Sequence, residues 1–143
     1  MRKGKSVLHW FANTESALRT VVFLVALHTM GLGFVIYFFT DSYYNFFFGT
    51  DVENFFFVRL AGIFLICNGI FYLVPLVSFA RLHTVINAII ITKIIAVVFL
   101  VSNAGYVLSP SVIYAAAFVD GLMAFVLVCL YARYRKKNPC ARF

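Results

Sequence analysis

Four side chains in this sequence have the chemistry and the setting to form a site: His28, Arg59, Lys93 and Asp120. A carboxylate near an amine and a guanidinium can form an ion pair, hold a polar head group or pass protons, and an imidazole can donate, accept or ligate. Their setting is what singles them out. Lys93 stands near the middle of "INAIIITKIIAVVFLV", Ile86 to Val101, and the other three also lie in apolar runs. No GxSxG, HExxH or glycine-rich phosphate loop accompanies them, so the sequence supplies no reactive group that would name a reaction.

The elements that must position these groups follow from composition. Hydrophobic residues make up 64% of 143 residues and charged residues 12%, and the mean hydropathy is +0.97, far outside the range of soluble globular chains. Four apolar runs, roughly 17–39, 55–78, 85–108 and 111–132, are each long enough to cross about 30 Å of hydrocarbon at about 1.5 Å per residue. A barrel would show short alternating segments, and these runs are continuous. The expected fold is all-α, a polytopic membrane protein with a four-transmembrane-helix antiparallel bundle over 17–132. An interfacial segment, 1–16, precedes it and a basic tail, 133–143, follows, which leaves little chain for a soluble domain.

The formal net charge of +7 is placed asymmetrically. Arg2, Lys3, Lys5, Arg19, Arg81, Arg133, Arg135, Lys136, Lys137 and Arg142 fall on one side of the spans, ten of the twelve basic residues. Asp41, Asp51 and Glu53 fall on the other. The positive-inside rule then predicts that both termini are cytoplasmic, with the basic ends touching anionic lipid rather than nucleic acid. The first apolar run starts late and continues as a full span, which predicts that no signal peptide is cleaved. Cys67 and Cys129 lie within spans and Cys140 in the tail, without a CxxC or an evident disulfide pair, and are expected to be inert.

Local signals mark the span ends. Val7, Leu8, Trp10 and Phe11 beside basic neighbours predict a short interfacial helix over 6–16. The outer loop "TDSYYNFFFGTDVENFFF" is long and aromatic, which suits the headgroup level. Thr50 and Glu53 have capping-box spacing and predict a helix start at Asp51. Ser109 followed by Pro110 predicts the start of the fourth helix, and Pro75 predicts a bend near the end of the second span. Gly31, Gly33, Gly62, Gly69, Gly121, Asn68 and Asn103 read as packing devices, with Ala117-x-x-x-Gly121 a small-residue motif. Wheel arithmetic groups Gly62, Ile66 and Gly69 with Arg59 and points Asn68 the other way, towards a contact with another subunit or a hydrogen bond within the bundle.

Depth organises the four polar groups. Measured from the outer end of each span at about 1.5 Å per residue, Arg59 lies about 6 Å down, Asp120 about 14, His28 about 16 and Lys93 about 22. An ionised side chain at mid-bilayer costs roughly 2.5–3.5 kcal/mol even on the lenient scale, so each should face the interior or find a partner. Lys93 and Asp120 lie on antiparallel neighbours about 8 Å apart along the axis, within reach of a lysine stem. Arg59 lies at a similar offset on the other side of Asp120 and could complete a triad. The first reading is an ion pair that fixes helix register; the second is a polar pocket for a head group or small ligand; the third is a proton or ion pathway, for which no interrupted helix pair is present. His28 has no second imidazole at its depth, which argues against haem and leaves no cofactor predicted.

Over residues 55–132, Arg59-x-x-Gly62, Gly69-x-x-Tyr72, Arg81, Lys93 and Asp120 resemble the DoxX-like group of small four-helix membrane proteins. The resemblance implies a bacterial cytoplasmic (inner) membrane protein, sometimes accessory to quinone-linked or thiol-linked oxidoreductase complexes, with Arg59, Lys93 and Asp120 as the polar positions of interest. The functional expectation is a non-enzymatic accessory or structural subunit of a larger membrane complex, with a redox link implied by that resemblance alone, and with a membrane protein partner or a second copy beside it. The alternative is a lipid or small-molecule binding protein, or a transporter, built on Arg59, Lys93, Asp120 and His28. The terminal "CARF" fits the C-a-a-X outline, but Arg142 stands where an aliphatic residue is expected, and the match is read as chance.

Overall fold

A computed structural model describes residues 14–49, 55–77 and 82–137. Its elements are α1 (Thr14–Phe38), α2 (Thr40–Phe48), α3 (Phe56–Tyr72), α4 (Val74–Val77), α5 (Leu82–Asn103), a 3-10 turn (Ala104–Tyr106) and α6 (Pro110–Lys137). Four stretches are long and apolar enough to span a bilayer: Thr14–Phe38, Phe56–Val77, His83–Tyr106 and Pro110–Lys137. They pack antiparallel as an all-α bundle. The end bearing α2 and the α5–α6 connection is called here the loop end, and the opposite one the terminus end. The segment 1–13, the Thr50/Glu53 capping box with Asp51, Arg81, and the tail from Asn138, with Cys140 and Arg142, lie outside the described residues.

Each boundary has a local cause. Glu15 near the start of α1 pairs with Arg19 one turn on, at 3.1 Å, placing a negative group at the positive end of the helix dipole. After Phe38 the chain steps to α2, and Thr40 closes the junction by donating to the carbonyls of Ile36, 2.7 Å, and Tyr37, 2.9 Å. Much of the aromatic stretch read as an outer loop is therefore helical. Its rings pair one turn apart, Tyr43 with Phe47 and Tyr44 with Phe48, tilted and with centroids 4.7 Å apart in each pair. Gly49 ends α2 with φ 63°, a left-handed conformation that admits glycine at no cost, and its N–H returns to Asn45 at 3.0 Å. A Cβ there would overlap the Leu108 side chain. Leu108 N–H in turn donates to the Phe47 carbonyl at 2.8 Å, tying the two loop-end connections together.

The second span breaks where the proline predicts. Leu73 N–H reaches back only three residues to Ile70, at 3.0 Å, before α4 resumes with Pro75 buried inside it. The fourth span begins at Pro110 and runs 28 residues, so the helix carries Arg135, Lys136 and Lys137 in its last turn, favourable to its negative end.

Packing is uneven. The tightest seam joins α1 to α3, where glycines let the backbones touch. A Cβ on Gly33 would stand 2.7 Å from the Gly62 carbonyl oxygen and 2.9 Å from the Ile66 nitrogen, and a Cβ on Gly62 2.9 Å from the Gly33 carbonyl oxygen. Gly69 similarly abuts Met30 and the Ala26 carbonyl. Gly121, by contrast, leaves 3.8 Å between a hypothetical Cβ and Val97, an ordinary contact, so the Ala117/Gly121 motif does not mark the closest approach. The buried core gathers Leu18, Val22, Val25, Tyr72, Ile86, Ile89 and Leu127 with their neighbours. All lie in the terminus-end half of their helices.

Candidate functional site

Lys93 and Asp120 cap this core near mid-span. Lys93 Nζ donates to Asp120 Oδ1 at 2.6 Å, with the two residues only 6% and 8% exposed. The contact bridges α5 and α6, whose short connection sets them antiparallel and whose facing positions Ile89, Leu127, Ala117 and Ala124 are buried. Such a charge-assisted bond is the strong form of a hydrogen bond, and low dielectric strengthens it further.

One residue away, Thr92 extends the polar level to α3. Its hydroxyl stands 2.6 Å from Tyr72 Oη and 3.0 Å from each of the Ala88 and Ile89 carbonyls. Either hydroxyl can be the donor across the seam, and when Tyr72 donates, the Thr92 hydrogen is left for the carbonyls of its own helix. His28 on α1 is exposed yet lies within electrostatic reach of both Lys93 and Asp120. His28, Tyr72, Thr92 with Lys93, and Asp120 thus bring one polar group or pair from each of the four spanning helices to a common region.

Arg59 does not join them. It is exposed on α3, and among the described residues the only ion pairs are Glu15–Arg19 and Lys93–Asp120. The cause is the packing order: α3 lies chiefly on α1, not on α6, so the arginine is carried away from the carboxylate. The possible triad is a pair in this structure.

Three further arrangements were not read from the sequence. Tyr72 entered only as part of the resemblance, and Thr92 not at all, although a hydroxyl next to a buried lysine is a usable signal. Near the terminus end His83 Nδ1 and Tyr131 Oη share a hydrogen bond of 2.7 Å, a second polar tie between α5 and α6, with the Arg135 guanidinium 5.9 Å over the Tyr131 ring. Asn103 donates to the Phe99 carbonyl of its own helix at 2.8 Å. Asn68 is exposed on α3 and makes no hydrogen bond among the described residues. Cys67 and Cys129 are free and exposed.

Two apolar grooves, of about 460 and 310 Å³, run along α5 and α6 past Val97, Gly121 and Phe125. Neither is lined by Lys93, Asp120 or His28. Fold and site together define a small four-span α-helical membrane protein whose charged groups at mid-span are bonded to each other. No family model matches the chain, and no curated protein or solved structure is significantly similar to it. The DoxX-like resemblance gains no support from these comparisons.

Proposed function

We propose that this protein is a non-catalytic subunit of a membrane assembly, a bundle that packs laterally against other protein, with the Lys93–Asp120 pair as an internal fastener. The single observation that carries the reading is the 2.6 Å bond between two buried, oppositely charged groups on adjacent helices. Each charge is neutralised inside the chain, which is what a register-fixing contact requires in a solvent where apolar packing alone is unspecific. On this reading both termini face the cytoplasm of a bacterial inner membrane, because the basic residues collect at the terminus end and Asp41 at the loop end. Kinship with DoxX-like accessory proteins, and with it a redox-linked complex, belongs to the same proposal.

Purification from the native membrane in mild detergent, with mass spectrometry and a visible spectrum of the purified material, tests it. Stoichiometric protein in the purified complex supports the subunit reading, and a pigment band would add the redox link. A lone chain carrying only lipid or a small molecule overturns it. A reporter fused after Phe143 tests the topology: activity confined to the cytoplasm is expected.

One observation favours a second reading, a polar pocket for a head group or small ligand. His28 is exposed on α1 within electrostatic reach of the ion pair, and its imidazole is open to a ligand that also takes a remaining valence of Asp120 or Lys93. In that case Asp120→Asn leaves a folded bundle that has lost its ligand.

A further inference from the structure

The outward face of α3 carries a pattern that the bundle does not use. Phe57, Ala61, Phe64, Asn68 and Phe71 recur at spacings of four, three, four and three residues, and all five are exposed, the phenylalanines at 78%, 61% and 46%. Those spacings place the five on one face of the helix, opposite the glycines that pack on α1, and the amide among them sets this face apart from one that merely meets lipid. Within it, Asn68 stands twelve residues from the start of a 22-residue span, near mid-bilayer. Its amide makes no hydrogen bond among the described residues, and hydrocarbon offers none.

We infer that this seam joins two copies of the chain, α3 against α3, with the Asn68 amides hydrogen-bonded to each other across a two-fold axis. An amide carries both donor and acceptor, so it is complementary to its own image, which a lone lysine or carboxylate at the same place would not be. An asparagine at one seam position also selects register and a small oligomer, as in coiled coils. Ala61, two turns towards the loop end, is the small residue that lets the helices approach while the phenylalanine rings flank the axis. The inference deepens the subunit reading and rests on it, since both need a protein neighbour against an outer helix face.

The test uses the full chain in its native membrane with a photoreactive phenylalanine analogue in place of Phe64. An adduct of twice the chain mass is expected, lost or reduced when Asn68→Leu is added; on the scale of interhelical hydrogen bonds that change weakens dimerisation about 3- to 30-fold. Asn68→Gln, which keeps an amide, should retain more of the dimer. Independently, Ala61→Cys with the native cysteines replaced should cross-link between copies under mild oxidation, and Ile63→Cys, which turns away from the seam, should not. An adduct with a different protein overturns the self-association and leaves the subunit reading standing. Adducts with lipid alone overturn both, and equal cross-linking at positions 61 and 63 overturns the seam.

Discussion

Asp120→Asn is the most direct test of the central contact. At 2.6 Å the two charges attract by ~6 kcal/mol for an effective dielectric of about 20, while removing both from water costs several kcal/mol each. The net worth of the intact pair is therefore small, but the cost of breaking it is not. Asparagine preserves the shape and leaves the Lys93 side chain, 7% exposed, charged and without its counter-ion, a change expected to cost roughly 3–5 kcal/mol. Lys93→Met leaves the converse defect and should cost a similar amount. Combining Lys93→Met with Asp120→Leu removes both charges and should fall within about 1 kcal/mol of the parent chain or exceed it, since buried pairs replaced by apolar residues are often neutral or better. Equilibrium unfolding in detergent micelles, read by helical circular dichroism, compares these chains, and Asp120→Leu alone supplies the fourth corner of the cycle. Losses that simply add in the double variant, or an Asp120→Asn chain as stable as the parent, would refute the argument that each charge is there to neutralise the other.

Other perturbations address the remaining seams. Gly33→Ala pushes a methyl group against the Gly62 carbonyl oxygen and the Ile66 nitrogen, backbone atoms that cannot rotate away, and should cost about 1–3 kcal/mol in the same unfolding assay. Gly31→Ala, two residues off, meets nothing within 4 Å and should be neutral or stabilise by up to about 1 kcal/mol through helix propensity. Tyr72→Phe removes one partner of this bond while Thr92 keeps its backbone acceptors, so the loss should stay near the membrane average of about 0.6 kcal/mol, well below that of Asp120→Asn.

Continuous apolar runs made the four spans legible, because nothing but helix satisfies a backbone in hydrocarbon. The Lys93–Asp120 contact was legible for a related reason: two expensive groups at compatible depths on antiparallel neighbours have few alternatives. Which helices touch was not legible. Gly33, Gly62 and Gly69 stood out as small residues, yet no local signal says that α1 packs most closely on α3, and so none says that Arg59 is carried away from α6. The wheel placed Arg59 about 60–80° from Gly62 and Gly69 at about 100° per residue, near enough to share a side and far enough to lie outside the contact. The helix α2 was hidden because tyrosine and phenylalanine are as welcome at the headgroup level as in a helix; its i, i+4 ring pairs are the signal that separates the two.

The distribution of contacts has a common logic. Helices in lipid gain nothing from hiding apolar surface against one another, so a specific seam needs either backbones close enough for dense van der Waals contact or polar groups bonded across it. The described residues divide these means between seams. α1 and α3 meet through glycines and share no side-chain hydrogen bond, while α5 and α6 meet at an ordinary distance and are tied twice, by Lys93–Asp120 and by His83–Tyr131. α3 and α5, which touch little, are joined by Tyr72 and Thr92. A polar bond tolerates a groove beside it, and the apolar grooves indeed run along α5 and α6; a glycine seam tolerates none. Adding bulk should therefore be cheap at Gly121 and costly at Gly33, and removing polarity costly at Asp120, because each seam has only one of the two means to fall back on.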